Sequence, residues 1–187
     1  MFDYVTALIS EPCLFWLIDA DEIWTATQII TMQDMFLQNP TYDSAIFFNQ
    51  YFVGPRVQIV TRRCCCGNYT CCEWMRVWQF KPGMSFAIHA PPRIKNGQLK
   101  CFSHEETEKA GLVFKHYAYA TEAFALWKQY FYLRENTAID DWRRLQQNTT
   151  WPARLKDFLP WLCPRDQSVQ SLVDQTNFPY QPIPFID

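Results

Sequence analysis

Six consecutive apolar residues, Cys13-Leu14-Phe15-Trp16-Leu17-Ile18, follow Pro12 and run directly into Asp19-Ala20-Asp21-Glu22. An unbroken apolar run bounded by proline and acids predicts a buried strand of a mostly parallel sheet. The acids then sit at its carboxyl end, where open α/β sheets bind their ligands. Before it, residues 3–10 predict a short helix. After it, residues 25–38 carry Ile29, Ile30, Met32, Met35, Phe36 and Leu37 as a broad apolar stripe, with Thr25 or Thr27 as N-cap and Asn39-Pro40 as the stop, which predicts a helix.

Residues 45–53 and 57–62 are β-rich and separated by Gly54-Pro55, the pattern of a hairpin or a change of strand. Trp74 to Phe80, closed by Lys81-Pro82-Gly83, predicts another strand, and Phe86 to His89 a shorter one. Residues 95–109 are polar and turn-rich and are expected as a mobile surface loop. Leu112 to Tyr119 reads as a strand, and Thr121 opens a helix in which Phe124, Trp127 and Phe131 recur at helical spacing. Helices are expected near 138–147 and 152–160. The tail from Cys163, with Pro164, Pro179, Pro182 and Pro184, is expected to be extended. The implied organisation is one domain over residues 1–160 and a tail over 161–187.

Composition narrows the class. Of 187 residues 49% are hydrophobic and 19% charged, which excludes a disordered chain, and no apolar run reaches the ~20 residues of a membrane span. A formal charge of -2 gives no bulk attraction to nucleic acid or to an anionic surface. The first residues lack the basic and long apolar regions of a secretory signal, so the expected location is cytoplasmic. Five of the eight cysteines crowd into Cys64-Cys65-Cys66 and Cys71-Cys72, a spacing poor for disulfides and without the paired knuckles of a zinc site. Reduced thiols are expected there.

The acids carry the chemistry. On an extended backbone alternate residues share a face, so the carboxylates of Asp19 and Asp21 are expected side by side at the strand end. Such a pair grips Mg²⁺ or Mn²⁺ together with a substrate diphosphate. A bare D-x-D also occurs as a helix cap or dipole partner, and only its setting separates the two.

With that setting, WLIDADEIW resembles the strand and D-x-D-E segment of family 2-like GT-A glycosyltransferases. In the same order, EWMRVWQFKPGMSFAIHAPPR, GLVFKHYAYATEAFALWKQYFY and DDWRRLQ resemble acceptor-side segments of bacterial members. The resemblance covers roughly residues 13 to 160. It implies a partial GT-A mixed sheet flanked by helices, a nucleotide-sugar donor, a divalent metal, and inverting transfer to the hydroxyl of a carbohydrate or other acceptor.

Matched residue by residue, Asp19 would face the ribose or first phosphate, Asp21 would bind the metal, and Glu22 would support either one or cap the following helix. His89 is a third metal ligand, a diphosphate donor or a structural histidine; similar proteins carry an acid after it, where this chain has Ala90. His116 divides between a role in the site and a hydrogen bond in the core. Inverting transfer needs a carboxylate to take the acceptor proton, and Glu73 is best placed for it by order, ahead of Glu105 and Glu106. Arg76 and Arg93 are phosphate donors or surface pairs.

Only twelve residues precede the Cys13 strand, fewer than the ~30 of one βαβ unit that would bind the base. A partner chain supplying that half is therefore expected, the first strand offering it an open edge. The alternatives are a catalytically silent remnant, a carbohydrate-binding module, or an interaction module whose tryptophans serve packing alone.

Overall fold

The computed structural model describes residues 2–59, 74–89, 92–95, 100–132, 138–160, 162 and 168–171. It is an α/β protein with mixed sheets. In chain order the elements begin with α1 (Phe2–Ala7), β1 (Cys13–Trp16), β2 (Glu22–Ile23) and α2 (Ala26–Gln38). They continue with β3 (Ser44–Ile46), β4 (Asn49–Gly54), β5 (Val57–Ile59), β6 (Met75–Phe80), β7 (Phe86–His89) and β8 (Pro92–Ile94). The last are β9 (Cys101–Phe102), α3 (His104–Lys109), β10 (Phe114–His116), α4 (Glu122–Phe131), α5 (Ala138–Gln146), β11 (Ala153–Arg154) and β12 (Ser168–Ser171). No described helix is long and apolar enough to cross a membrane.

The chain divides into two compact units, one of Met1–Tyr51 and Arg62–His116, the other of Phe52–Thr61 and Tyr117–Asp187. In the first, β1, β6, β3 and β9 form a sheet in that order, and β7 and β8 pair as a separate antiparallel ribbon. β10 pairs antiparallel with β2 and parallel with the start of β4. Ile46, Met75, Trp78, Phe80, Phe86 and Ile94 form one buried cluster of it, with Phe15 packed against them. Phe15 meets Phe80 at 5.4 Å and Phe86 at 5.6 Å between ring centroids. These tilted ring pairs add attraction to simple area burial.

β1 departs from expectation. It is an edge strand, paired antiparallel to β6 with Cys13 opposite Phe80 and Trp16 opposite Val77, and it is only partly buried. An apolar run reports burial on both faces but cannot name the direction of its neighbour. α2 follows its local signals closely. Thr25 is the N-cap, its hydroxyl accepting from Gln28 N while Gln28 Oε1 accepts from Thr25 N, and Asn39 is the C-cap. Such a reciprocal cap satisfies two of the donors a helix start leaves open.

The stretch 45–53 proves to be two strands. β3 joins β6 and β9, and β4 turns away to β10. The loop expected over 95–109 instead holds β9 and α3, the helix started by a capping box between Ser103 and Glu106. Thr107 Oγ1 donates to Ile46 O at 2.8 Å and ties α3 to β3. Lys81-Pro82-Gly83 closes β6 with a turn in which Met84 N donates to Lys81 O and Gly83 takes a φ of 84°. Only glycine enters that region without strain.

In the second unit β4 and β5 make the antiparallel hairpin expected at Gly54-Pro55, and β5, β12 and β11 pair in order. β12 thus places part of the expected tail in a sheet. Trp142 Nε1 of α5 donates to Tyr119 O at 2.8 Å, and Ile139 N donates to Gln129 Oε1 of α4. α4 starts at its expected cap Thr121, yet Phe124, Trp127 and Phe131 are exposed and Ala125 is buried. Helical spacing therefore did mark one face, and that face points outward. The helix expected over 152–160 is replaced by β11 and a 3₁₀ turn at Leu155–Asp157, because β12 takes up the backbone of Ala153 and Arg154 in a ladder.

Candidate functional site

The acidic segment folds as a turn. Glu22 N donates to Asp19 O at 3.0 Å, closing a four-residue loop with aspartate at the first position, where it is favoured. The expected strand-like alternation of Asp19 and Asp21 is therefore not what the backbone adopts. β2 starts at Glu22 and sets this residue opposite His116 of β10.

β6 meets this turn because Leu17 N, just beyond β1, donates to Arg76 O at 2.8 Å. Arg76 Nε and Nη2 donate to Glu22 Oε1 at 2.9 and 2.6 Å, and Nη2 also donates to Asp19 Oδ2 at 2.9 Å. Trp24 Nε1 donates to the other Glu22 oxygen at 3.3 Å. The Glu22 side chain is 0% exposed and that of Arg76 6%. Glu22 has both oxygens engaged and caps nothing, since α2 is capped by Thr25. The guanidinium also lies 4.9 Å from the centroid of Trp74, within the range where a cation is drawn to a ring face. Arg76, expected to meet a phosphate, is aimed at the turn's own carboxylates.

Asp21 and Asp19 are left differently. Asp21 Oδ1 lies 3.4 Å from His116 Nε2, with side-chain exposures of 14% and 8%. The Asp19 side chain is 52% exposed. Arg76 thus bridges Asp19 and Glu22, while Asp21 is set against His116. His116 is wedged between Tyr51 and Trp74, at 4.8 and 5.0 Å between centroids. Among the described residues its Nδ1 is buried without a partner, as are Trp74 Nε1 and both amide atoms of Asn49. Asn49 lies opposite Phe114 and Tyr51 opposite His116 in the β4–β10 register. Buried polar atoms without partners are uncommon and mark strain, water or a bound group.

An aromatic wall backs the turn. Trp24 stacks on Phe114 at 4.6 Å and meets Trp16 at 5.0 Å and Phe47 at 4.9 Å. The fold thus brings Asp19, Asp21, Glu22, Arg76 and His116 together. Glu73 and the cysteine cluster lie outside the described residues. His89 and Arg93 belong to β7 and β8, and only their backbone is described. Glu105 and Glu106 belong to α3 rather than a loop. Among the described residues no group of three or more His, Cys, Asp or Glu is placed to hold a metal ion. Asp21 and His116 form a set of two, which suits an ion that also takes oxygens from a substrate.

Sequence reasoning left the role of His116 open and missed the Trp24 indole. The aromatic neighbours of His116 were the available signal for burial; nothing local pointed to Asp21. Comparison of the chain with protein-family models, with curated proteins and with solved structures finds no match.

Proposed function

We propose that the chain is the metal-binding, acceptor-side part of a GT-A type glycosyltransferase, moving a sugar from a nucleotide-sugar donor to a hydroxyl. The observation that carries this reading is Asp21 set 3.4 Å from His116 in the acidic turn, with Asp19 half exposed beside it. Asp21 and His116 would hold Mg²⁺ or Mn²⁺; a mixed carboxylate and imidazole donor set suits the softer Mn²⁺. A cation bound there supplies a Lewis acid for the departing diphosphate.

The remaining work falls to the chain. Asp19 faces solvent and can accept from a ribose hydroxyl or share the cation. Glu22 and Arg76 neutralise each other beneath the turn. Trp16, Trp24 and Phe114 exclude water from the buried side. Glu73 is kept as the residue that takes the acceptor proton, on the strength of its position in the sequence before β6.

The test is Mn²⁺ uptake by the full chain, followed by electron paramagnetic resonance of free Mn²⁺ with and without a nucleoside diphosphate. It is paired with release of nucleoside diphosphate from a panel of nucleotide sugars. The wild type should bind Mn²⁺, more tightly with the nucleotide, and Asp21→Ala should weaken it by about a hundredfold, the upper range for loss of a group that holds or orients a metal. A wild-type chain that takes up no Mn²⁺ under either condition would sink the reading.

A further inference from the structure

Arg76 and Glu22 form a buried pair whose geometry exceeds what charge neutralisation needs. One guanidinium nitrogen, Nη2, is shared between Glu22 Oε1 at 2.6 Å and Asp19 Oδ2 at 2.9 Å, and Nε adds a second bond to the same Glu22 oxygen. The two acids it joins are the first and last residues of the turn, themselves joined by Glu22 N to Asp19 O. Arg76 therefore closes the turn a second time, through side chains. Its own orientation is set by β6, by the Trp74 ring, and by Glu22, whose other oxygen is held by Trp24.

We infer that Arg76 is the positioning residue of the acidic turn and that Glu22 is its anchor, the pair fixing where Asp19 and Asp21 point. Part of this rests on the metal-binding reading above; the shape of the turn does not. A flexible loop with three carboxylates in four residues would spread them by mutual repulsion. Nη2 bridges two of them while Nε, on the same Glu22 oxygen, fixes the direction of the planar guanidinium, an orientation that a freely rotating ammonium does not hold. The third, Asp21, is then aimed at His116 by the turn itself.

The decisive variant removes both partners, Glu22→Leu with Arg76→Met, because a buried ion pair replaced by apolar residues of similar volume is tolerated by a fold, whereas one partner left alone is not. In the full chain, hydrogen exchange reads the amide of residue 22, and Mn²⁺ titration reads the aspartates. The double variant should keep its circular dichroism and the exchange rates of α2, yet exchange the residue 22 amide at least about tenfold faster and bind Mn²⁺ about tenfold to a hundredfold more weakly. Arg76→Lys, which keeps the charge and loses the fork, should show the same direction and serves if the double variant does not fold. Unchanged exchange at residue 22 overturns the inference. Faster exchange with unchanged Mn²⁺ affinity also overturns it, by reducing the pair to packing. If the wild type binds no Mn²⁺, the metal reading fails alone, and exchange at residue 22 still decides whether Arg76 holds the turn.

Discussion

His116 Nε2 and Asp21 Oδ1 lie 3.4 Å apart although one residue is on a strand and the other in a distant turn, and the other imidazole nitrogen is buried with no partner among the described residues. The histidine is thus held by ring contacts with Tyr51 and Trp74 rather than by a hydrogen bond at Nδ1. A side chain kept for packing alone would be better as a phenyl ring. An imidazole here leaves a buried polar atom unsatisfied, which costs stability.

That contrast gives a prediction. His116→Phe retains the ring contacts and removes both nitrogens, so its unfolding free energy from urea titration should stay within about 1.5 kcal/mol of wild type, as for a tolerated core swap. Its Mn²⁺ affinity should fall about tenfold or more. Equal stability with unaltered Mn²⁺ binding would assign His116 to packing.

A second prediction concerns Gly54, at the end of β4. A Cβ built on this residue collides with the amide group of Gln146, whose Nε2 donates to Val53 O at 3.0 Å. Gly54→Ala must push the flexible end of Gln146 aside and break that bond, at a cost of about 0.5–1.5 kcal/mol. Adding Gln146→Ala should recover much of the loss. A denaturant series on the two single variants and the double would show non-additivity; simple addition of the two losses would refute the contact.

A third prediction concerns acid. The Glu106 carboxyl is held below its ordinary value of 4.5, first by the backbone N–H of Ser103 and then by the Ser103 hydroxyl, Tyr42 and Lys109. A carboxyl lowered in the folded state contributes stability that is complete above its unfolded value and is lost as pH falls through the folded one. α3 should therefore loosen below pH 4.5 and not at neutral pH. Glu106→Gln keeps an acceptor for Ser103 N and should flatten the acid limb of the stability profile, while Ser103→Ala should cost about 1 kcal/mol at neutral pH. An acid limb identical in wild type and Glu106→Gln would exclude this cap as its source.

Much of the local structure was legible along the chain. Thr25 and Asn39 bounded α2, Thr121 opened α4, and Gly54-Pro55 marked the β4–β5 turn, because caps and turns are decided by residues a few positions apart. α3 carried its own signal, Ser103 three residues before Glu106, but six residues hold too little periodicity to stand out from a polar stretch. The helix expected over 152–160 failed for the opposite reason. Its local preference was adequate, and pairing with β12 prevailed over it.

The sequence by itself determined the acids after Ile18, the aromatic surroundings, and the alternation of strands and helices that makes this an α/β protein. Only the tertiary structure decided that β1 runs antiparallel to β6 at a sheet edge, that Arg76 meets Glu22 from 54 residues away, and that His116 faces Asp21. Side-chain chemistry and short-range periodicity are written in neighbouring residues, whereas strand partners and their register follow from how the whole set of apolar faces is buried. The candidate site lies at such a meeting of distant strands, so its members were visible in the chain and their pairing was not.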